Sequence, residues 1–229
     1  MSEPKVAALL LCAGRGERLG LGVGKALAPL AGRPLFAWSL EALQRCDAIH
    51  GVVVVGPTRT LRELLAASGR ASDKVIAWTE GGAERQHSVA RGLAAMPPEF
   101  THVAVHDAAR ALVSPALVAR VVADAVAHGA ALAAVPLDDT LKRARDGEVA
   151  ETVPRAGLWR AQTPQAFRRD WLEAAHAVAA DVATDDAALV ERLGHAVRLT
   201  PGEPHNFKIT TPDDLKLAEA LLSALPTRT

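Results

Sequence analysis

Short apolar segments alternate with longer segments of helical period along most of this chain. Val6 to Leu11 is apolar at every position, and Gly51 to Val55 and His102 to His106 are similar in character. Such segments are typical of strands that are buried on both faces of a sheet. Lys74 to Trp78 and Ala131 to Pro136 are weaker candidates. The alternation predicts an α/β fold, with a Rossmann-like, mostly parallel sheet and helices on both faces.

Seven helices are predicted between and after these strands. Two have clear start signals, because Ser114 precedes Pro115 and Thr211 precedes Pro212, and a hydroxyl N-cap before proline favours a helix start. The predicted helices are Pro34 to Gln44, Leu61 to Ser68, Glu84 to Ala95, Ser114 to His128, Arg168 to Ala180, Asp185 to Leu193 and Pro212 to Leu225.

Residues 137–157 interrupt this pattern. They contain Asp146-Gly147, a strong signal for a hairpin turn, with strand-like residues on both sides. We expect a projecting β-hairpin arm inserted in a single domain of residues 1–229. An isolated hairpin is marginally stable, which favours a homodimer formed through the arm, although an arm folded back on its own domain fits the residues nearly as well.

Charge and cysteine content exclude several classes of protein. The formal net charge is zero, whereas a non-specific nucleic-acid binder usually has a basic excess. Cys12 and Cys46 form no Cys-x-x-Cys pair, so we expect free thiols and no protein metal site. No apolar run approaches the roughly 20 residues that cross a bilayer. These features predict a cytoplasmic protein without a nucleic-acid or membrane partner.

A glycine-rich loop follows the first predicted strand. Residues 11–25 contain five glycines together with Arg18 and Lys25. Such a loop lies at the carboxyl edge of a parallel sheet, where its N–H groups and cations can bind phosphates. Neither common nucleotide motif fits, because Leu19 replaces a required glycine in both and Ala26 replaces the Ser or Thr of an ATPase phosphate-binding loop. The loop therefore predicts a nucleoside triphosphate site of another kind.

Ordered motifs along the chain resemble one family. Ala13-Gly14-x-Gly16-x-Arg18-Leu19-Gly20, followed by Lys25, is similar to the signature of sugar-phosphate nucleotidyltransferases. Further matching blocks are Gly81-Gly82-x-Glu84-Arg85-x-x-Ser88-Val89, Val105-His106-Asp107-Ala108-Ala109-Arg110, Thr163-Pro164-Gln165, Thr184-Asp185-Asp186-Ala187 and Asn206-Phe207-Lys208-Ile209-Thr210. Together they resemble the 2-C-methyl-D-erythritol 4-phosphate cytidylyltransferase family of non-mevalonate isoprenoid biosynthesis, over about residues 6–221.

The resemblance implies a reaction in which a sugar-alcohol phosphate attacks CTP and pyrophosphate leaves. It implies catalytic roles for Arg18, Lys25 and Lys208, and for Arg155 donated from the arm of a neighbouring subunit. The implied nucleotide-binding residues are Ala13, Gly14, Gly16, Gly82, Arg85 and Ser88. The implied substrate-binding residues are Asp107, Thr140, Thr163, Thr184 and Asp185. Mg²⁺ or another divalent cation would be held mainly by the CTP phosphates, and Arg110 is expected to pair with Asp107.

Three alternatives remain open at this point. The acceptor could be ribitol 5-phosphate, and the nucleotide could be a purine or thymidine triphosphate. A nucleotide-binding regulator without catalysis is the third alternative. The presence of Arg18, Lys25 and Lys208 argues against the regulator, because binding alone has less need of three converging cations.

Overall fold

A computed structural model describes residues 3–14, 16–20, 24–69, 72–179, 181 and 183–224. Gly22 of the predicted loop, Ala180 at the end of a predicted helix and Leu225 at the end of another lie outside these residues. Within the described ranges, the strands are β1 (Val6–Leu11), β2 (Pro29–Leu30), β3 (Arg33–Pro34), β4 (Gly51–Val55), β5 (Val75–Thr79), β6 (His102–Asp107), β7 (Ala130–Pro136), β8 (Leu141–Arg145), β9 (Glu148–Val153), β10 (Trp159–Arg168) and β11 (Arg198–Pro201).

A seven-stranded sheet has the order β11-β7-β10-β6-β1-β4-β5. Neighbouring strands are parallel except at β10, which is antiparallel to both β6 and β7. The register pairs Leu11 at the end of β1 with Val55 and Asp107 at the ends of β4 and β6. The carboxyl ends of three central strands therefore meet at one edge of the sheet, where open α/β folds bind ligands.

Helices cover both faces of this sheet. They are α1 (Leu35–Gln44), α2 (Thr58–Ala67), α3 (Arg85–Ala94), α4 (Pro115–His128), α5 (Arg169–Val178), α6 (Asp186–Arg192) and α7 (Pro212–Ala224). Leu10 of β1 belongs to one buried cluster with Phe36 of α1, and Leu9 belongs to another with Val89 of α3. Burial of both faces explains why β1 is apolar at every position.

The predicted fold class is confirmed, and most predicted elements are present with end shifts of a few residues. Ser114 caps α4 as expected, since its Oγ accepts a hydrogen bond from the Leu117 N–H at 3.0 Å. Strands β10 and β11 were not predicted. Helix α6 begins at Asp186, one residue later than predicted, because the side chain of Asp185 caps this helix.

The arm is a two-stranded hairpin of β8 and β9. Asp146 and Gly147 form its turn with φ values of 53° and 84°, the conformation that a two-residue hairpin turn of type I′ requires. Most of its residues are exposed, so the arm projects and does not fold back on this chain. It is an extension of the adjacent strands β7 and β10, whose pairing ends at Pro136 and Trp159.

Candidate active site

The glycine-rich loop after β1 closes on itself at the carboxyl edge of the sheet. The Lys25 N–H donates to the Gly14 carbonyl at 2.9 Å. Gly16 has a φ of 76°, and a Cβ at this position would lie 2.9 Å from the Lys25 nitrogen. Only glycine combines this backbone conformation with such a close approach, and the consequence is that Lys25 lies beside the turn.

A cavity of about 450 Å³ lies between this loop, α3 and the end of β6. Eight of the predicted site residues line it. From the first loop and the start of α3 they are Ala13, Gly14, Lys25, Gly82, Arg85 and Ser88. Asp107 and Lys208 complete the set from distant parts of the chain.

The Gly81-Gly82 loop forms one wall of the cavity. The Gly82 N–H donates to Ser88 Oγ at 2.9 Å, and this hydroxyl donates to the Glu84 carbonyl at 3.2 Å. A Cβ on Gly82 would lie 2.3 Å from the His87 Cβ, and one on Gly81 would lie 2.2 Å from the Ala13 Cβ. The wall is therefore bare backbone held tightly in place, which suits close contact with a flat ring.

Lys25 lies in a positive electrostatic environment. Its pKa is lowered to about 8, mainly by burial and also by the positive charges of Lys208 and Arg18. Arg18 is exposed in a short 3₁₀ turn and does not line the cavity, although its charge acts on Lys25. The cations predicted from distant motifs thus act on one another here.

Asp107 holds two of the cavity's cations. Its Oδ1 accepts from Arg85 Nε at 3.1 Å, and its Oδ2 accepts from Lys208 Nζ at 2.7 Å. Burial alone would raise the pKa of this carboxyl, but the charges of Arg85 and Lys208 outweigh burial and hold the pKa well below its usual range. Asp107 is therefore ionised at neutral pH and orients both cations.

The expected pairing of Arg110 with Asp107 is wrong. Arg110 donates from Nη1 to the Asn206 carbonyl at 2.8 Å and from Nη2 to the Ala161 carbonyl at 3.2 Å. It braces the backbone that leads to Lys208. Asn206 itself is fully buried and donates to Gln162 and to the Thr163 carbonyl, so the segment before Lys208 is tied to β10.

Thr163 and Asp185 support the site from behind. Thr163 is buried, and its Oγ1 accepts from the Asp107 N–H at 3.1 Å and lies 3.1 Å from His106 Nδ1. Asp185 accepts from the Ala188 N–H at 3.0 Å and from Gln165 Nε2 at 2.9 Å, so both of its oxygens are engaged within the fold.

Thr140, Arg155 and Thr184 are exposed and are not among the residues that line the cavity. Thr140 and Arg155 lie at the two sides of the arm's base. The fold of one chain therefore assembles the predicted nucleotide site but does not bring these three residues to it.

The buried carboxylate that holds Arg85 was not predicted. Asp186 Oδ2 accepts from Arg85 Nη1 at 2.6 Å, and its side chain is only 1% exposed. The Thr184-Asp185-Asp186-Ala187 motif was the available signal. The resemblance assigns the first aspartate of this motif, Asp185, to the acceptor side, whereas in the structure the second, Asp186, binds Arg85.

The charged groups near the cavity do not form a protein cage for a metal. Among the described residues, no group of three His, Cys, Asp or Glu side chains is arranged to hold an ion. Asp107 offers carboxylate oxygens, but each already accepts from a cation. Such a donor set fits a divalent cation only when another ligand supplies most of the oxygens.

Both cysteines are free and buried, and burial raises the pKa of the Cys12 thiol, which keeps it protonated.

The helices of the described ranges are each too short or too polar to cross a bilayer.

Comparison with known proteins gives one consistent result. Residues 6–224 match the family model described as 2-C-methyl-D-erythritol 4-phosphate cytidylyltransferase. Proteins of that name from Frankia casuarinae and Prochlorococcus marinus are 48% and 44% identical to this chain. The alignments cover 97% and 94% of this chain and 83% and 97% of those proteins.

Solved structures agree with these sequence matches. The crystal structure of 2-C-methyl-D-erythritol 4-phosphate cytidylyltransferase from Thermus thermophilus has a TM-score of 0.77 and 38% identity, over 94% of this chain and 98% of that one. The 4-diphosphocytidyl-2C-methyl-D-erythritol synthase from Anaerococcus prevotii has a TM-score of 0.82 at 26% identity, over 96% and 99% of the two chains.

Proposed function

The chain belongs to the 2-C-methyl-D-erythritol 4-phosphate cytidylyltransferase family, and we propose that it performs the family's reaction at this edge of the sheet. It is a cytidylyltransferase of isoprenoid biosynthesis. It joins CTP and 2-C-methyl-D-erythritol 4-phosphate, forms 4-diphosphocytidyl-2-C-methyl-D-erythritol and releases pyrophosphate.

One observation supports this assignment most directly. Lys25 from the loop after β1 and Lys208 from near the end of the chain line the same cavity, together with Arg85. Two phosphorylated substrates repel each other, and converging cations offset that repulsion while they stabilise the charge that develops during transfer. This convergence also supports one domain for residues 1–229, with the arm at 137–157 as an insertion.

No general base is required in the proposed mechanism. A phosphate monoester has its second pKa near about 6, so the attacking phosphate is mostly ionised at neutral pH. The work of the protein is to align the attacking oxygen with the α-phosphorus and the leaving pyrophosphate. Arg18, Lys25 and Lys208 supply the positive charge for that alignment.

The cavity wall supports the proposed binding of the nucleotide. We assign Ala13, Gly14 and Gly16 to the triphosphate side, because their loop presents backbone next to Lys25. Gly82 and Ser88 form the flat wall against which the pyrimidine would lie. Arg85 joins this wall to Asp107.

Mg²⁺ or another divalent cation fits the site only together with CTP. Asp107 is a carboxylate of the cavity lining that contacts Lys208, and it would hold the ion through one oxygen or through its water ligands. When bound, such an ion neutralises charge on the triphosphate.

We propose that the arm completes the site in a homodimer. Thr140 and Arg155 are exposed at the base of the arm, and Val149, Leu158 and Trp159 are large apolar side chains left 64%, 39% and 43% exposed. Burial of such side chains against a partner would stabilise an arm that is marginal alone. Arg155 of the partner subunit would then orient the acceptor phosphate, together with Thr140.

Thr163, Thr184 and Asp185 are the other residues assigned to the acceptor side. We place the reaction in the cytoplasm, where free thiols persist.

The decisive experiment measures pyrophosphate release with CTP, Mg²⁺ and 2-C-methyl-D-erythritol 4-phosphate. We expect turnover with this pair, and much slower turnover when ribitol 5-phosphate replaces the acceptor. ATP, GTP and dTTP should not replace CTP. If the protein binds CTP but releases no pyrophosphate from it with any acceptor, the assignment would be overturned in favour of a nucleotide-binding regulator.

A further inference from the structure

A continuous chain of charged contacts runs from the cavity into the interior. Lys208 Nζ lies 2.7 Å from Asp107 Oδ2, and Asp107 Oδ1 lies 3.1 Å from Arg85 Nε. Arg85 Nη1 lies 2.6 Å from Asp186 Oδ2, and Asp186 Oδ1 lies 3.2 Å from His176 Nε2. Basic side chains and carboxylates alternate along this chain, so each member has a partner on both sides except at the two ends.

The inner members of this chain do not line the cavity. Asp186 is the first residue of α6 and its side chain is 1% exposed, while the side chain of His176 on α5 is 6% exposed. Neither residue belongs to the cavity lining. A carboxylate can only accept, so the His176 ring nitrogen donates to it. Any effect of this pair on the reaction must therefore pass through Arg85.

Asp186 determines which nitrogens of Arg85 donate to Asp107. Arg85 gives Nη1 to Asp186 and Nε to Asp107, and its Nη2 is buried with no hydrogen-bond partner among the described residues. Nε and Nη2 lie on the same edge of a guanidinium group. Without Asp186, that edge would take both oxygens of Asp107, since arginine–carboxylate pairs favour two parallel bonds. Asp107 would then turn away from Lys208.

We propose that Asp186, held by His176, is a positioning residue for cytidylyl transfer. It fixes the Arg85 guanidinium and, through it, the contact of Asp107 with Lys208. The catalytic part of this inference rests on the proposed function, whereas the physical linkage between the residues can be tested without turnover.

The first test is Asp186→Asn, which keeps the shape of the side chain and removes its charge. We expect kcat to fall by about 10- to 100-fold, because small displacements of reacting groups have effects of that size. KM for CTP should change by less than about threefold, since the glycine loops that form most of the nucleotide site stay intact. A kcat within about twofold of the wild type would overturn the proposal.

Asp124→Asn is the matched control. Asp124 is a half-buried carboxylate on α4 that accepts from Thr200 Oγ1 at 2.6 Å and does not line the cavity. Asparagine removes the same charge at a position that does not line the cavity, so the kcat of this variant should stay at the wild-type value. A loss equal to that of Asp186→Asn would show a general effect of charge removal and would overturn the positioning role.

The second test is a double-mutant cycle with Arg85→Met. Removal of Arg85 leaves Asp186 buried without its cation, which is strongly destabilising, and Asp186→Asn in that background should restore part of the lost melting temperature. It should cause no further fall in kcat. Independent, additive effects on the melting temperature would overturn the linkage, and Arg85→Gln, which likewise lacks the charge, serves in the same cycle if Arg85→Met does not fold.

These two readouts separate the possible failures. If the wild-type protein releases no pyrophosphate, the proposed function fails, and the melting-temperature cycle still decides the linkage. His176→Leu and His176→Gln refine the result, because glutamine retains a donor for Asp186. We expect glutamine to retain more of the wild-type kcat than leucine, and equal values would remove His176 from the proposal.

Discussion

The cavity and the arm hold their charged groups in opposite ways. Asp107 at the cavity and Asp186 behind it are almost entirely buried, and each contacts two basic side chains. On the arm, Arg143 pairs with Glu151 while the two side chains are 65% and 54% exposed. An exposed pair contributes about 0–1 kcal/mol, whereas loss of one partner from a buried pair costs about 3–5 kcal/mol.

This difference shows that one chain orients the cations of the cavity by itself but does not fix the geometry of its arm. The buried pairs orient the cavity's cations before any substrate arrives, which is the condition for electrostatic catalysis. The exposed pair leaves the arm with little stability of its own, so its geometry depends on the surface it contacts. The comparison can be tested by removing a charge from each region.

The largest expected effect follows from Lys25→Ala. We expect kcat to fall by about 10²- to 10³-fold, because one preorganised charge at the transferring phosphate is lost. The melting temperature should not fall, since Lys25 forms no ion pair with an acidic side chain among the described residues and its lowered pKa shows that its charge is unfavourable in the folded protein. Steady-state pyrophosphate release and a thermal melt measure the two quantities.

Lys216→Ala is the control for Lys25→Ala. Lys216 on α7 pairs with Asp213, and the two side chains are 78% and 89% exposed. Wild-type turnover is expected for this variant. Near-normal kcat in Lys25→Ala would contradict the assigned role of the cavity.

A mixture of two inactive variants tests the arm. Arg155→Ala should lower kcat by about 10²-fold if its guanidinium aligns the acceptor phosphate. When equal amounts of Arg155→Ala and Lys25→Ala subunits exchange, we expect about a quarter of the wild-type activity, because half of the dimers are mixed and each mixed dimer has one intact site.

The outcome distinguishes the two positions of the arm. If Arg155 served the cavity of its own chain, mixed dimers would contain one site without Lys25 and one without Arg155, and no activity would return. Size measurement of the wild type in solution accompanies this experiment, and a fully active monomer would contradict the dimer.

The smallest effect concerns the pH dependence of CTP binding. The pKa of Lys25 is lowered to about 8, so the free protein loses this charge above that pH. The triphosphate favours the protonated lysine, and KM for CTP should therefore rise by about fivefold from pH 8 to pH 9. Lys25→Arg should remove this rise, because arginine stays protonated.

The free energy of unfolding should increase as the pH rises above about 8, whereas the affinity for CTP falls. Between about pH 8 and 10.5 the unfolded chain still binds the proton that folded Lys25 has lost. Stability therefore increases with pH across that window, as far as this residue contributes. A KM for CTP that stays constant from pH 7 to pH 9 would contradict the assignment of Lys25 to the triphosphate.

The strands that the sequence predicts well are those whose burial depends on apolar side chains. The predicted bounds of β1 and β4 agree with the structure. β10 was missed because its buried residues include Gln162, Thr163 and Gln165, which are satisfied by hydrogen bonds to partners far along the chain. The local periodicity of the sequence gives no information about such distant partners.

The site shows the same division. Motifs identified the residues that face the cavity, since glycines and cations at a sheet edge have few other uses. They did not identify the residues behind them, such as Asp186 and His176, because their role depends on which way the start of α6 and the side of α5 face. Pairing of Arg110 with Asp107 was a reasonable local expectation, but the nearer carbonyls of Ala161 and Asn206 take its donors.

The arm's two ends leave the sheet side by side, since β7 and β10 are neighbours and the Leu137 N–H donates to the Leu158 carbonyl at 3.0 Å. An insertion anchored in this way can gain or lose residue pairs during evolution without shifting a single strand of the domain. The length and composition of the arm can thus change quickly during evolution. Two proteins with the same catalytic domain could then become unable to assemble with each other, while each continues to form its own homodimer.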